Sequence, residues 1–143
     1  MERSDGVFDW TLLDRAVAKA VSNDSFVYLS LDVGPDAPDW IYEQGVPKVF
    51  TEDARQEGKW PYYPYYLDDN YKSRYHRLIT DLGRHVRAYP EATQARIAFV
   101  QVKTGCTGDE TPYKGEPKDP RYAFSKNSAE WRGFRLGAFA LFT

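Results

Sequence analysis

The sequence predicts an α/β fold with a parallel sheet and long loops at the carboxyl ends of its strands. Three observations carry this prediction. Three segments place apolar residues at helical spacing, and two short runs between them are apolar on both faces. Each of those runs also empties into a long polar connection instead of a hairpin turn. Helix, strand, helix, strand, helix is the order that βαβ units produce, and in such folds the loops after the strands hold the ligand site.

The first helix is expected over about Asp9 to Val21. Leu12, Leu13, Ala16, Val17 and Ala20 fall on one side of a 3.6-residue repeat, with Arg15 and Lys19 on the other. Asp9 or Thr11 can cap it, and Ser22-Asn23-Asp24 ends it. Phe26 to Val33 follows, too apolar on both sides for a half-exposed hairpin strand and therefore expected as a parallel strand covered on each face. From Gly34 to Asp68 the chain turns to Pro, Gly, Trp, Tyr and charge, in a connection far longer than the usual four to six residues or so. A second helix begins near Asp68 or Asp69, where Tyr71, Tyr75, Leu78, Ile79, Leu82 and Val86 share an arc of roughly 100°. Tyr89-Pro90 ends it, since a residue before proline is pushed out of the helical region. Arg96 to Val102 is the second buried strand and leads into the glycine-rich polar stretch from Lys103 to Glu110. Asn127 or Ser128 then caps a last helix carrying Trp131, Phe134, Ala138 and Phe142.

Composition narrows the function classes. Nineteen basic residues against 21 acidic ones leave a formal charge of −2, without the positive footprint that nucleic acid or an anionic membrane surface requires. No run approaches the roughly 20 apolar residues of a membrane span, and the N-terminus lacks the apolar core of a signal peptide, so no membrane association is expected and the compartment is left open. One cysteine excludes an internal disulfide, and His76 and His85, nine residues apart on one helix, point about 180° from each other. Neither a metal nor a cofactor is expected. Eleven tyrosines in a chain of mean hydropathy −0.65 point to many rings facing water or ligand. Two strands alone do not form a sheet covered on both faces, so the remaining strands are expected from a larger domain or from another copy of the chain.

Three pieces of this order carry a family resemblance. Phe8-Asp9-Trp10 with Leu13-Asp14 and Ala16 to Ala20 is one. Leu31-Asp32-Val33-Gly34-Pro35 with Pro38-Asp39-Trp40 and Gly45-Val46-Pro47 is the second, and Ile97 to Val102 with the acidic loop ending at Glu110 is the third. Together, over about residues 7 to 142, they resemble the central part of a clan A (β/α)8 glycoside hydrolase of the β-galactosidase type. The resemblance implies a partial (β/α)8 barrel, the segment from the second helix to the fourth. It also implies a retaining two-carboxylate mechanism, with a proton-donating glutamate after the fourth strand and a nucleophile on the seventh. Here the donor position reads Asp109-Glu110, where those enzymes place Asn before Glu. The isolated chain, lacking a nucleophile strand, is expected to be inactive.

The candidate site follows from chemistry and position. Glycoside hydrolysis needs one carboxyl group held protonated near neutral pH, and a neighbouring carboxylate with partial burial raises a pKa, which suits Glu110 beside Asp109. Two solvated loop acids are the plain alternative. Trp40, Trp60 and Tyr62 offer apolar ring faces to the C–H faces of a sugar, or else pack on the sheet end. Asp32 and Asp39 can orient hydroxyls or simply form turns. Gln101 and Lys103, two apart on a strand, share a face and can point into the site, although a lysine after a strand is commonly just exposed. Cys106 has no base placed near it by the sequence. The expected partner is a carbohydrate; the rival reading is a noncatalytic carbohydrate-binding or assembly module.

Overall fold

The computed structural model describes residues 2–31, 34, 37–52, 62–106 and 111–142. It is a mixed helix and strand fold. The elements, in chain order, are β1 (Glu2–Ser4), β2 (Val7–Phe8), α1 (Thr11–Ser22), β3 (Val27–Ser30), α2 (Asp39–Glu43), β4 (Lys48–Val49), β5 (Tyr63–Pro64), α3 (Asp69–Arg87), α4 (Glu91–Gln94), β6 (Ile97–Gln101) and α5 (Ala129–Ala140).

The two apolar runs pair as expected. β3 and β6 are adjacent and parallel, with Tyr28 beside Phe99, Leu29 beside Val100 and Ser30 beside Gln101, after an irregularity between Val27 and Tyr28. Both strands therefore end on the same side. The glycine exits keep those ends close: a Cβ on Gly34 would lie 3.2 Å from the Tyr66 hydroxyl and 3.4 Å from Cys106 Cα. A Cβ on Gly105 would lie 2.2 Å from the Thr111 carbonyl oxygen, so only glycine fits there. The expectation that these strands are covered on both faces is corrected. Leu29 and Leu31 are buried, whereas Tyr28 and Phe99 stack on each other at 5.2 Å and stay 61% and 57% exposed. Their apolar character shows what the open face favours; no described element covers it.

The helices form where periodicity and caps place them. Asp68 accepts the Tyr71 N–H at 3.0 Å and starts α3, and Ser128 accepts the Trp131 N–H at 3.2 Å and starts α5. Trp10, not Asp9 or Thr11, occupies the cap position of α1, though Asp9 still accepts the Thr11 N–H at 3.0 Å. α5 lies against α3 through Phe134, whose ring is 5.6 Å from Tyr75 and 6.3 Å from Tyr71.

The core is largely aromatic. Tyr63, Tyr66, Tyr71, Tyr75, Tyr113, Trp131 and Phe134 are buried among Leu31, Ile41, Val46, Val49, Ile79 and Leu82. Trp131 is fully enclosed, with Phe134 at 5.3 Å, Phe124 at 5.5 Å and Tyr66 at 5.7 Å. The tyrosine surplus is thus spent mainly inside, contrary to the expectation of rings facing water or ligand. Offset and edge-on contacts let rings fill a core while their hydroxyls seek the rim.

Two features lie within stretches read as plain connection or tail. The β1–β2 hairpin is tied to α3 by Arg77, which pairs with Glu2 and Asp5, and to α2 by Trp40, whose Nε1 donates to the Glu2 carbonyl at 3.3 Å. Between Gly34 and Asp68, α2 and the β4–β5 pair bury Ile41, Val49, Tyr63 and Pro64.

Candidate functional site

A cavity of about 460 Å³ opens at the carboxyl end of β3. Its walls come from four separated parts of the chain: Glu2 of β1, Leu12, Leu13 and Ala16 of α1, Pro38 and Trp40 around α2, and Tyr71, Arg74, Tyr75 and Leu78 of α3. The α3 residues recur at i, i+3, i+4 and i+7, which places one arginine within the apolar stripe of the helix. Leu31, just beyond β3, lines the base.

Trp40 is half-buried on this wall. The Arg74 guanidinium lies over its ring at 5.6 Å and donates from Nη2 to Gln44 Oε1 at 2.6 Å, while Arg74 Nε and Nη1 have no hydrogen-bond partner. Tyr75 joins the cavity to the other strand, its hydroxyl donating to the Lys103 carbonyl just past β6 at 2.5 Å. One chamber is therefore in mechanical contact with both strand exits.

Two carboxylates line it, and both are committed. Glu2 pairs with Arg77 and accepts the Gly6 N–H at 2.7 Å. Asp9 is lowered to about 2, first by its hydrogen bonds from Thr11 and then by Arg3, with which it pairs. At neutral pH Asp9 is an anion and cannot donate a proton. The described chamber can thus hold an amphipathic ligand, with ring faces, a guanidinium and anionic oxygens at its edge, but Asp9 cannot supply an acid.

Of the residues singled out from sequence, Trp40 lines the cavity. Asp39 and Tyr62 meet each other elsewhere, the Tyr62 hydroxyl donating to Asp39 Oδ1 at 3.3 Å beside Lys48, and neither lines the cavity. Gln101 is exposed at the end of β6, and Lys103 contributes its backbone carbonyl to Tyr75. Asp32, Trp60, Asp109 and Glu110 lie outside the described residues. Cys106, next to that last pair in sequence, donates its N–H to the Thr111 and Pro112 carbonyls at 3.1 and 3.2 Å.

Sequence reasoning did not place Glu2, Arg74 or Tyr75 in a site. Arg74 carried a signal, a cation on an otherwise apolar helical stripe; Glu2 carried none, because only tertiary contact brings the first strand against α2. Among the described residues no group of three His, Cys, Asp or Glu is placed to hold a metal ion, and no helix is long and apolar enough to cross a membrane. Compared with known proteins, the chain matches no family model, no curated protein and no solved structure.

Proposed function

We propose that this chain carries the sugar-binding end of a (β/α)8-type glycoside hydrolase domain of the retaining, β-galactosidase-like class. The observation that carries the reading is the half-buried Trp40 indole on the wall of the cavity of about 460 Å³ at the carboxyl end of β3. A pyranose presents an apolar C–H face and a rim of hydroxyls. The indole, Tyr71 and Tyr75 suit the first, and Arg74, Glu2 and Asp9 suit the second. Support also comes from the parallel pair β3–β6, whose strand ends converge at Gly34, and from its open Tyr28–Phe99 face, which further strands or a second copy would cover.

In this mechanism Glu110 protonates the glycosidic oxygen, with Asp109 as the alternative donor, and then activates water; a nucleophile from a further strand forms the glycosyl intermediate. The chain by itself binds and does not turn over. A second reading, a noncatalytic carbohydrate-binding module, is favoured by one specific observation: both carboxylates in the cavity are paired, and Asp9 is held ionised.

Calorimetric titration with galactose, lactose and cellobiose tests the proposal. Saturable binding of a sugar to the wild type, weakened roughly three- to tenfold by Trp40→Ala on the strength of one lost ring contact, supports it. Absence of binding by any of them refutes it. Cleavage of aryl galactosides by the purified chain, unaffected by Glu110→Gln, refutes the assignment of the proton donor.

A further inference from the structure

A second recognition feature lies outside the cavity, and it is independent of the sugar reading. Tyr42 of α2 and Tyr62, just before β5, meet edge to face, with ring centroids 5.0 Å apart and planes at 85°. Phe50, just after β4, adds a third ring at 5.6 Å from Tyr62 and 64° to it. The ammonium of Lys48 sits in this corner, 4.3 Å from the Tyr62 centroid and 5.2 Å from that of Tyr42. The Tyr62 hydroxyl donates to the Asp39 carboxylate, which pushes electron density toward the ring that lies nearest the cation.

Ring faces carry negative potential, so a corner built from two nearly perpendicular rings concentrates attraction for a cation at one point. Lys48 marks where that point is. It is a poor occupant, because a primary ammonium is compact and strongly hydrated and its exposed side chain must be ordered to reach the rings. A group whose charge is spread over methyls sheds water more easily and makes dispersion contacts with all three rings. We propose that the Tyr42–Phe50–Tyr62 corner is a binding site for a trimethylammonium group, with Lys48 as its internal competitor and Asp39 as the carboxylate behind the ring.

The competitor gives the test an unusual sign. Titration of the full ¹⁵N-labelled chain with tetramethylammonium chloride, against sodium chloride at equal ionic strength, should give saturable amide shifts confined to Tyr42, Lys48, Phe50 and Tyr62. The dissociation constant should be on the order of millimolar, as suits so small a ligand. Lys48→Ala, which deletes a positive side chain, should tighten binding by about two- to fivefold, the equivalent of one exposed cation–π contact. Tyr62→Leu, which keeps an apolar side chain but no π face, should abolish it while shifts elsewhere stay native. Phe50→Leu serves as the parallel variant should Tyr62→Leu perturb the fold, and should weaken binding. Choline binding with the same shifts extends the site to natural headgroups. Non-saturating shifts, equal binding of the neutral neopentyl alcohol, or a Lys48→Ala variant that binds no better than wild type would overturn the proposal.

Discussion

Two tyrosines of the same core should respond in opposite directions to loss of the same atom. Tyr75 is 3% exposed and Tyr66 fully buried, and both rings are held by aromatic neighbours, so Tyr→Phe leaves packing intact and isolates the hydroxyl. The Tyr75 hydroxyl donates to the Lys103 carbonyl and links α3 to the exit of β6. Its removal should cost about 1–2 kcal/mol, the net worth of a buried hydrogen bond plus part of the desolvation of the carbonyl. For a chain of this size that is a fall in Tm of roughly 3–8 °C. The Tyr66 hydroxyl has no hydrogen-bond partner, and burial raises its pKa well above the ordinary value. Removing it deletes an uncompensated polar group, so Tyr66→Phe should leave stability unchanged or raise it by up to about 1–2 kcal/mol. Urea denaturation of the wild type and the two variants, with equal slopes, reads both values. Equal destabilisation by both substitutions would refute the reasoning, because it would mean the Tyr66 hydroxyl is as well bonded as that of Tyr75.

Further predictions concern the contact between α1 and α3 and the start of α5. Asp14 of α1 accepts from the Tyr89 hydroxyl at 2.6 Å and lies 2.6 Å from His85 Nε2; Tyr89 first, and then His85, hold its carboxyl below the ordinary range. A depressed carboxylate stabilises the fold above its unfolded pKa of about 3.9 and loses that contribution as pH falls through the folded value. Asp14→Asn should therefore lower Tm at pH 7, with the gap to wild type closing below about pH 4; a gap that stays constant down to pH 2.5 contradicts this. Ser128→Ala removes the cap of α5 and should cost about 1 kcal/mol in chemical denaturation, with no loss arguing that the Trp131 N–H is satisfied equally well without it.

The parts of the fold that were legible in sequence are those whose causes are local. Asp68, the apolar stripe from Tyr71 to Leu82 and the Tyr89-Pro90 stop define α3 within a residue or so, and Ser128 with Trp131 and Phe134 does the same for α5. The pairing of β3 with β6 followed from two runs too apolar for hairpin strands. The short elements escaped. Strands of two or three residues show no alternation, and the five-residue α2 is too short for a helical repeat, so only the burial of Ile41 against the core accounts for it. Tyrosines misled for a related reason. Composition counts rings without saying what they touch, and Tyr63, Tyr66 and Tyr113 are buried by partners far away in sequence. The same holds for the cavity, where Trp40 could be singled out from its loop but its neighbours Glu2 and Tyr75 could not.

The central claim is that a proton-donating acid and the Trp40 indole face one sugar. A crystal structure of the chain soaked with a galactoside measures this directly. The account predicts a pyranose seated against Trp40 at the carboxyl end of β3, with the Glu110 carboxyl within hydrogen-bond reach of its glycosidic oxygen. A sugar bound away from Trp40, or Glu110 turned to bulk water and remote from the indole, would contradict it.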